Sequence, residues 1–212
     1  MPVYLINGKS VLFLHIPKTA GMAIDAHLSE HFPVAFNTRV RVKVGVFGPR
    51  HQPAAVLKTI FLDQMIDYAF MVVRHPVARL VSEYRYQHRH NAFQRLRLGL
   101  MGFDLWLKFA LLRTSRAPAY RGNHFRPQIA YECFGCEVFK YEDGLKAVMQ
   151  GVSRATGVEI PYETRARNVS HFRSVSISQK SLDLIAQTYE ADFQRFGYEV
   201  CVPDLTGVRG PK

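Results

Sequence analysis

Two apolar runs dominate the pattern of the chain. Residues 11–16 (VLFLHI) are apolar except at His15, and residues 68–73 (YAFMVV) are apolar throughout. Short runs without alternation fit strands buried on both faces. Each run meets a break, Pro17 after the first and Arg74-His75-Pro76 after the second. Proline suits the first turn of a helix, so each strand is expected to lead into one. The first helix is expected over 20–31, with Ile24 and Leu28 four apart on one face. The second begins at Pro76 and places Arg79, Ser82 and Tyr86 at spacings that share a face.

Other elements are read in the same way. Residues 32–53 are loop-like, with an alternating basic and apolar piece at 39–44 that suits an edge strand. A short helix is expected over 54–63, another over 104–112 anchored by Trp106, and a polar loop over 122–128. Residues 137–141 read as a strand. Asp143 is expected to cap a helix that stops near Gly157. The last helix is the clearest. Ser178 caps it, Leu182, Ile185, Tyr189, Phe193 and Phe196 repeat at helical steps, and Gly197 ends it. Strands alternating with helices, with no repeats or linkers, predict a single domain over 1–212. Its expected fold class is α/β, three layers with a mainly parallel central sheet flanked by helices.

Composition narrows the partner. Of 212 residues, 28 are Lys or Arg and 17 are Asp or Glu, a formal net charge of +11. That balance favours an anion: a nucleotide, an acidic glycan, nucleic acid or anionic lipid. With 15 Phe and 10 Tyr the chain is globular rather than disordered. Cys133-x-x-Cys136 lacks a second pair at ligand spacing, so it reads as two ordinary thiols, and no metal site is expected. No apolar run is long enough for a membrane span, and no signal peptide is legible. A cytoplasmic location is therefore expected, with peripheral membrane contact left open. Asn168-Val-Ser170 is formally a glycosylation sequon.

The strand ends carry the chemistry. Ligands in open α/β sheets bind beyond the carboxyl ends of the strands, where Lys18 and Arg74 stand. Lys18-Thr-Ala-Gly-Met22 has a lysine, a hydroxyl and the first amides of a helix, the parts of an anion site. A plain strand–turn–helix with a solvated lysine is the alternative reading of that stretch. Thr19 can donate to a phosphate or cap the helix, roles that are compatible.

The second motif decides between these. Arg74-His-Pro-Val-Ala-Arg-Leu-Val-Ser-Glu-Tyr84 reads R-x-P-x-x-R-x-x-S-x-Y. Together with His-Ile-Pro-Lys-Thr-Ala-Gly it resembles the two nucleotide-binding signatures of the sulfotransferases that use PAPS (3′-phosphoadenosine 5′-phosphosulfate). It is most similar to the carbohydrate branch, the uronyl 2-O- and Golgi 4-O-type enzymes and their short bacterial relatives. His124-Phe-Arg-Pro-Gln128, Lys140-Tyr-Glu-Asp143 and the segment from Asn168 to Arg173 resemble further family pieces. Met22 departs from the pattern, standing where a hydroxyl residue is common.

The resemblance implies a P-loop-like fold, PAPS as donor with PAP as product, and no metal. It gives Lys18 to the leaving 5′-phosphate, with Thr19, Ala20, Gly21 and Met22 around it, Gly21 letting the chain pass close to the phosphate. It gives Arg74 and Ser82 to the 3′-phosphate, and Asn168, Ser170 and Arg173 to a loop closing over the nucleotide. Arg79 is expected to be structural and Tyr84 to be core. The general base is expected at His51, where relatives place a catalytic histidine. His124 is the second candidate, and His124 with Gln128 is expected on the acceptor side. The acceptor is expected to be a hydroxyl on a carbohydrate or glycolipid, acidic or not. Two other classes stand beside this reading. A small-molecule kinase would need GxxxxGK[ST] and an acidic strand end for Mg²⁺; here an arginine stands at that end. A non-catalytic nucleotide- or polyanion-binding module fits the charge, but no nucleic-acid motif accompanies it, and nucleic acid is not expected as a partner.

Overall fold

The protein is described by a computed structural model covering residues 1–38, 40–42, 45–90, 101–162 and 175–205, less the side chains of 40–42, 45–47 and 88–90. The chain forms two compact units. One comprises Met1–Val73 and Ala130–Arg165, the other Arg74–Ile129 and Ala166–Lys212.

The first unit is α/β. It opens with a hairpin absent from the expectations above: β1 (Val3–Ile6) pairs antiparallel with β2 (Lys9–Leu14), Ile6 facing Lys9 across Asn7 and Gly8. Both turn residues have positive φ, 51° and 74°. That is the geometry of a two-residue hairpin turn, for which Asn-Gly is the preferred sequence. The hairpin pulls β2 back to start at Lys9, and the expected strand end at 15–16 becomes loop. α1 (Gly21–His31) follows, then β3 (Val34–Ala35). β4 (Val40–Val42) pairs with β5 (Gly45–Phe47) in a sheet of their own. The alternating segment therefore forms a separate ribbon rather than an edge of the main sheet. α2 (Ala54–Leu57) is a single turn, shorter than expected. β6 (Tyr68–Val73), β7 (Glu137–Lys140) and α5 (Leu145–Thr156) complete the unit.

The main sheet has the order β3-β1-β2-β6-β7. β2, β6 and β7 are mutually parallel and β1 alone runs against them, with β3 antiparallel to β1. One face is built from Tyr4, Ile6, Val11, Phe13, Phe70 and Val72, which pack with Ile24 and Leu28 of α1 and Val148, Met149 and Val152 of α5. Phe13 and Phe70, opposite in register, stack at 4.8 Å. Leu12, Leu14, Met71 and Val73 alternate with them and are also fully buried, which is why the strands read as unbroken apolar runs. Gly151 admits the Phe139 ring, whose Cζ would lie 2.3 Å from any Cβ there. Asp143 does not cap α5. It closes a 3-10 turn, and Gly144, at φ 84°, stands at the N-cap instead.

The second unit is helical: α3 (Pro76–His90), α4 (Phe103–Arg116), α6 (Gln179–Thr188) and α7 (Glu190–Phe196). Their core joins Val77, Leu80 and Val81 to Trp106, Leu182, Ile185, Tyr189 and Phe193. Ser178 caps α6, accepting from the Ser181 N–H. The expected single last helix is broken at Tyr189, whose hydroxyl donates to the Phe125 carbonyl at 2.8 Å. No described helix is long and apolar enough to cross a membrane.

Candidate functional site

The loop between β2 and α1 holds two non-glycine residues in left-handed conformation, Lys18 at φ 69° and Ala20 at φ 62°. Such backbone costs about 1–3 kcal/mol per residue and persists where surroundings enforce it. Thr19 does part of that work. It is fully buried, and its hydroxyl donates to the Ile16 carbonyl at 3.0 Å. The hydroxyl thus braces the loop, and caps no helix. Ala20 is the N-cap residue, and its carbonyl accepts from Ala23 and Ile24. Gly21 and Met22 are the first two residues of α1, whose amide protons have no intrahelical acceptor. No acidic side chain stands in that first turn. The positive end of α1 is therefore uncompensated beside the partly buried Lys18. The Met22 side chain is exposed, so only its amide belongs to this feature.

Gly21 has a reason that sequence reasoning did not supply. A Cβ there would lie 2.0 Å from Cδ2 and Nε2 of His15. The missing side chain makes room for a buried imidazole rather than for a phosphate alone.

His51 lies against the same loop. Its Nδ1 is 2.8 Å from the His15 carbonyl, and the two rings meet edge to face at 4.6 Å. A ring nitrogen facing a carbonyl carries the proton, so the neutral ring holds its lone pair on Nε2, the tautomer of a base. The backbone of His51 is itself left-handed, at φ 62°. Its neighbour explains how it is held. Arg50 reaches Asp25 of α1 at 2.8 Å and the Asn37 side-chain oxygen at 3.0 Å. Asp25, buried, also accepts from Tyr4 at 2.7 Å, from Ser29 and from Asn37. Burial and the carboxylate push the Tyr4 phenol far above its ordinary value. This cluster ties Arg50, and with it His51, to the helix that follows the Lys18 loop.

The second unit presents its motif by a different means. Arg74 is partly buried, and its backbone is gripped from both sides by Gln128: the side-chain oxygen accepts from Arg74 N and the side-chain nitrogen donates to Arg74 O, each at 2.9 Å. Gln128 is fully buried. Gln128, expected on the acceptor side, here holds the Arg74 backbone through both its amide oxygen and its amide nitrogen. Arg79, also buried, donates to the carbonyls of His124 and Arg126 and lies over the Tyr189 ring at 5.4 Å. These contacts make it a brace for the 123–129 loop. Ser82 sits partly buried one turn further along α3. Asp192 of α7 accepts from the amides of Gln128 and Ile129 at 2.8 and 2.9 Å, its carboxyl held above the usual range by burial against the opposing pull of Arg79. Tyr84 packs on Phe103 and Trp106 as core.

His124 belongs to a chain of polar groups. Its Nδ1 lies 2.8 Å from the carboxylate of Glu83, which is 2% exposed; Glu83 accepts from Gln87, and Gln87 from the Trp106 indole at 3.1 Å. The carboxylate fixes the orientation of the imidazole. Glu83 was missed because it occupies an unconstrained position of the R-x-P-x-x-R-x-x-S-x-Y pattern. His75, just before α3, packs edge-on against Phe193 and Tyr198. Asn168, Ser170 and Arg173 lie outside the described residues. So Lys18 to Met22 and His51 come together in one unit, and Arg74, Ser82, His124 and Gln128 in the other.

A model of the Sulfotransferase family matches residues 4–199. The chain belongs to that family. The match runs through both units, and it carries sulfuryl transfer as the general activity. No curated protein and no solved structure matches the chain. Around the candidate residues of this sulfotransferase-family chain, nothing among the described residues groups three His, Cys, Asp or Glu as a metal site would. None of the three cysteines is in a disulfide, and burial pushes the Cys133 thiol up to about 12, far from reactivity.

Proposed function

We propose that the chain transfers a sulfuryl group from PAPS to a hydroxyl of a carbohydrate or glycolipid. The observation that carries this is the β2–α1 junction: Lys18 in a left-handed turn at the uncompensated positive end of α1, in a member of the sulfotransferase family. Its donor set fits an anionic leaving group: an ammonium, first-turn amides and no nearby acid in that turn. PAPS supplies a sulfuryl group on a phosphate that departs as PAP. Lys18 neutralises charge growing on the departing phosphate oxygen, an interaction stronger in the transition state than before it. The amides of Ala20, Gly21 and Met22 hold that phosphate, while Thr19 keeps their loop in shape. Arg74 and Ser82 hold the 3′-phosphate, with Gln128 fixing the arginine's backbone. Asn168, Ser170 and Arg173 close over the nucleotide. His51 takes the acceptor proton on Nε2. No metal is part of the mechanism.

The same proposal includes a three-layer P-loop-like fold, one domain made of both units, and membership of the carbohydrate branch as a short, cytoplasmic bacterial-type enzyme. One observation favours a second reading of the base. His124 has a buried carboxylate on its Nδ1, the orientation device common to catalytic imidazoles. Loss of transfer in His124→Ala but not His51→Ala would move the base there.

Calorimetric titration with PAP, against ATP and ADP, tests the donor. Selective PAP binding supports it. Arg74→Ala should weaken PAP at least about tenfold, since a dianion loses its charged partner. Absence of PAP binding by the unaltered protein would overturn the donor assignment.

A further inference from the structure

Helix α4 turns an apolar surface outward that its own unit does not cover. Its inner side buries Phe103, Trp106, Leu107 and Ala110. On the outer side Leu105, Phe109 and Leu112 recur at i, i+4 and i+7 and remain 49%, 49% and 48% exposed. An amphipathic surface helix would place polar residues there, and a contiguous exposed apolar stripe marks an interaction site. The stripe is bordered by Lys108, Arg113 and Arg116, all exposed. The only acid in the helix is Asp104, whose carboxylate accepts the Ser178 amide. The local hydroxyls bond their own helix backbone: Thr114 donates to the Ala110 carbonyl and Ser115 to that of Leu112. A groove of about 480 Å³ opens beside the stripe, lined by Phe109, Leu112, Arg113, Arg116, Ala117 and Tyr120.

Apolar side chains ringed by cations, with few hydrogen-bonding groups between them, match one partner chemistry well. We infer that the outer face of α4, through Leu105, Phe109 and Leu112 with Lys108, Arg113 and Arg116, docks this protein onto an anionic lipid bilayer. The apolar residues enter the boundary between headgroups and acyl chains while the cations meet lipid phosphates. At 14 residues the helix lies along such a surface and does not span it. A second copy of the chain fits poorly, because a two-fold contact would set the three cations against themselves. An acidic glycan would use the arginines but would leave the exposed Leu105 and Leu112 without purpose. This inference is independent of the donor and base assignments. It would place the enzyme where lipid-linked acceptors are found.

The test is co-sedimentation of the full chain with vesicles of phosphatidylcholine alone or mixed with phosphatidylglycerol, at about 0.15 M salt. The mixed vesicles should retain the protein and the neutral ones should not. Phe109→Ser with Leu112→Ser should cut retention about tenfold or more. Arg113→Ala with Arg116→Ala should do the same. Melting curves and PAP titrations of these variants should match the unaltered protein, which separates failure of docking from failure of folding or of the nucleotide site. Three results would overturn the inference. The first is no retention on anionic vesicles. The second is undiminished retention of the Phe109/Leu112 variant, which would indicate adsorption by net charge. The third is a dimer, seen by light scattering, that the same variant disperses.

Discussion

The two motifs are held by opposite means. At the β2–α1 junction the backbone itself is shaped, with Lys18 and Ala20 in left-handed conformations and one buried hydroxyl as a brace; His51, which leans on that loop, is left-handed too. At the start of α3 the backbone is ordinary helix, and buried side chains do the holding: Gln128 on Arg74, Arg79 on the 123–129 loop, Asp192 on two of its amides. A loop that must present its own amides to an anion has to fix φ and ψ. A motif that presents a side chain needs only a firm platform, and buried hydrogen bonds provide one. Substitutions should therefore harm the first region mainly in rate and the second mainly in stability.

The largest expected effect is at Arg79. Arg79→Ala leaves two partly buried carbonyls unsatisfied and a cavity where a buried side chain stood, a loss of about 3–5 kcal/mol in thermal or denaturant unfolding. Arg79→Lys should not restore it, because an ammonium lacks the fork that reaches both carbonyls. Full stability in either variant would break the contrast. Lys18→Ala should lower transfer from labelled PAPS by about 10²–10³-fold while PAP affinity and melting change little. A fall in melting temperature with transfer intact would reverse the roles of the two regions.

Smaller effects sharpen the comparison. Gly21→Ala should destabilise by about 1–3 kcal/mol through the clash with His15, and His15→Ala in the same chain should return part of it, a coupling read from the double-mutant cycle. The smallest effects concern two aspartates that hold backbone amides in opposite surroundings. Asp67 is exposed, and hydrogen bonds from the Ser10 amide and hydroxyl lower its carboxyl below the usual value. Its stabilisation is present above the unfolded carboxylate range and is lost as pH falls through its depressed pKa. Asp192 is raised by burial. There the unfolded chain ionises first, so stability falls as pH rises from the ordinary carboxylate range through the raised value. Asp67→Asn should flatten the first dependence and Asp192→Asn the second, measured as unfolding free energy against pH. Slopes of the same sign would show that burial does not dominate at Asp192.

Much of the scaffold was legible in local pattern. The runs 11–16 and 68–73 read as doubly buried strands; residues 11–14 and 69–73 are buried strand, with Tyr68 partly buried and 15–16 in the following loop. Pro76 starts α3 and Ser178 caps α6, because both act within one helical turn. The β1 hairpin was equally legible in Asn7-Gly8 between apolar segments, but it was not read. The Asp143 cap failed because Gly144, the residue immediately before the helix, took the N-cap position. Tyr189 kept the helical period yet interrupts the helix, since its hydroxyl is drawn to Phe125, far away in sequence.

What the sequence alone determined is the chemistry available at two strand ends: a lysine with helix-start amides, and an arginine with a serine two turns along. Both are short-range patterns, written in consecutive residues. What only the tertiary structure decided is which groups are held and which remain to act. Gln128 grips Arg74 across 54 positions, Arg50 meets Asp25 across 25, and His124 meets Glu83 across 41. No local periodicity encodes such pairs. They form only when burial makes an unpartnered polar group costly enough that the fold must bring it a partner.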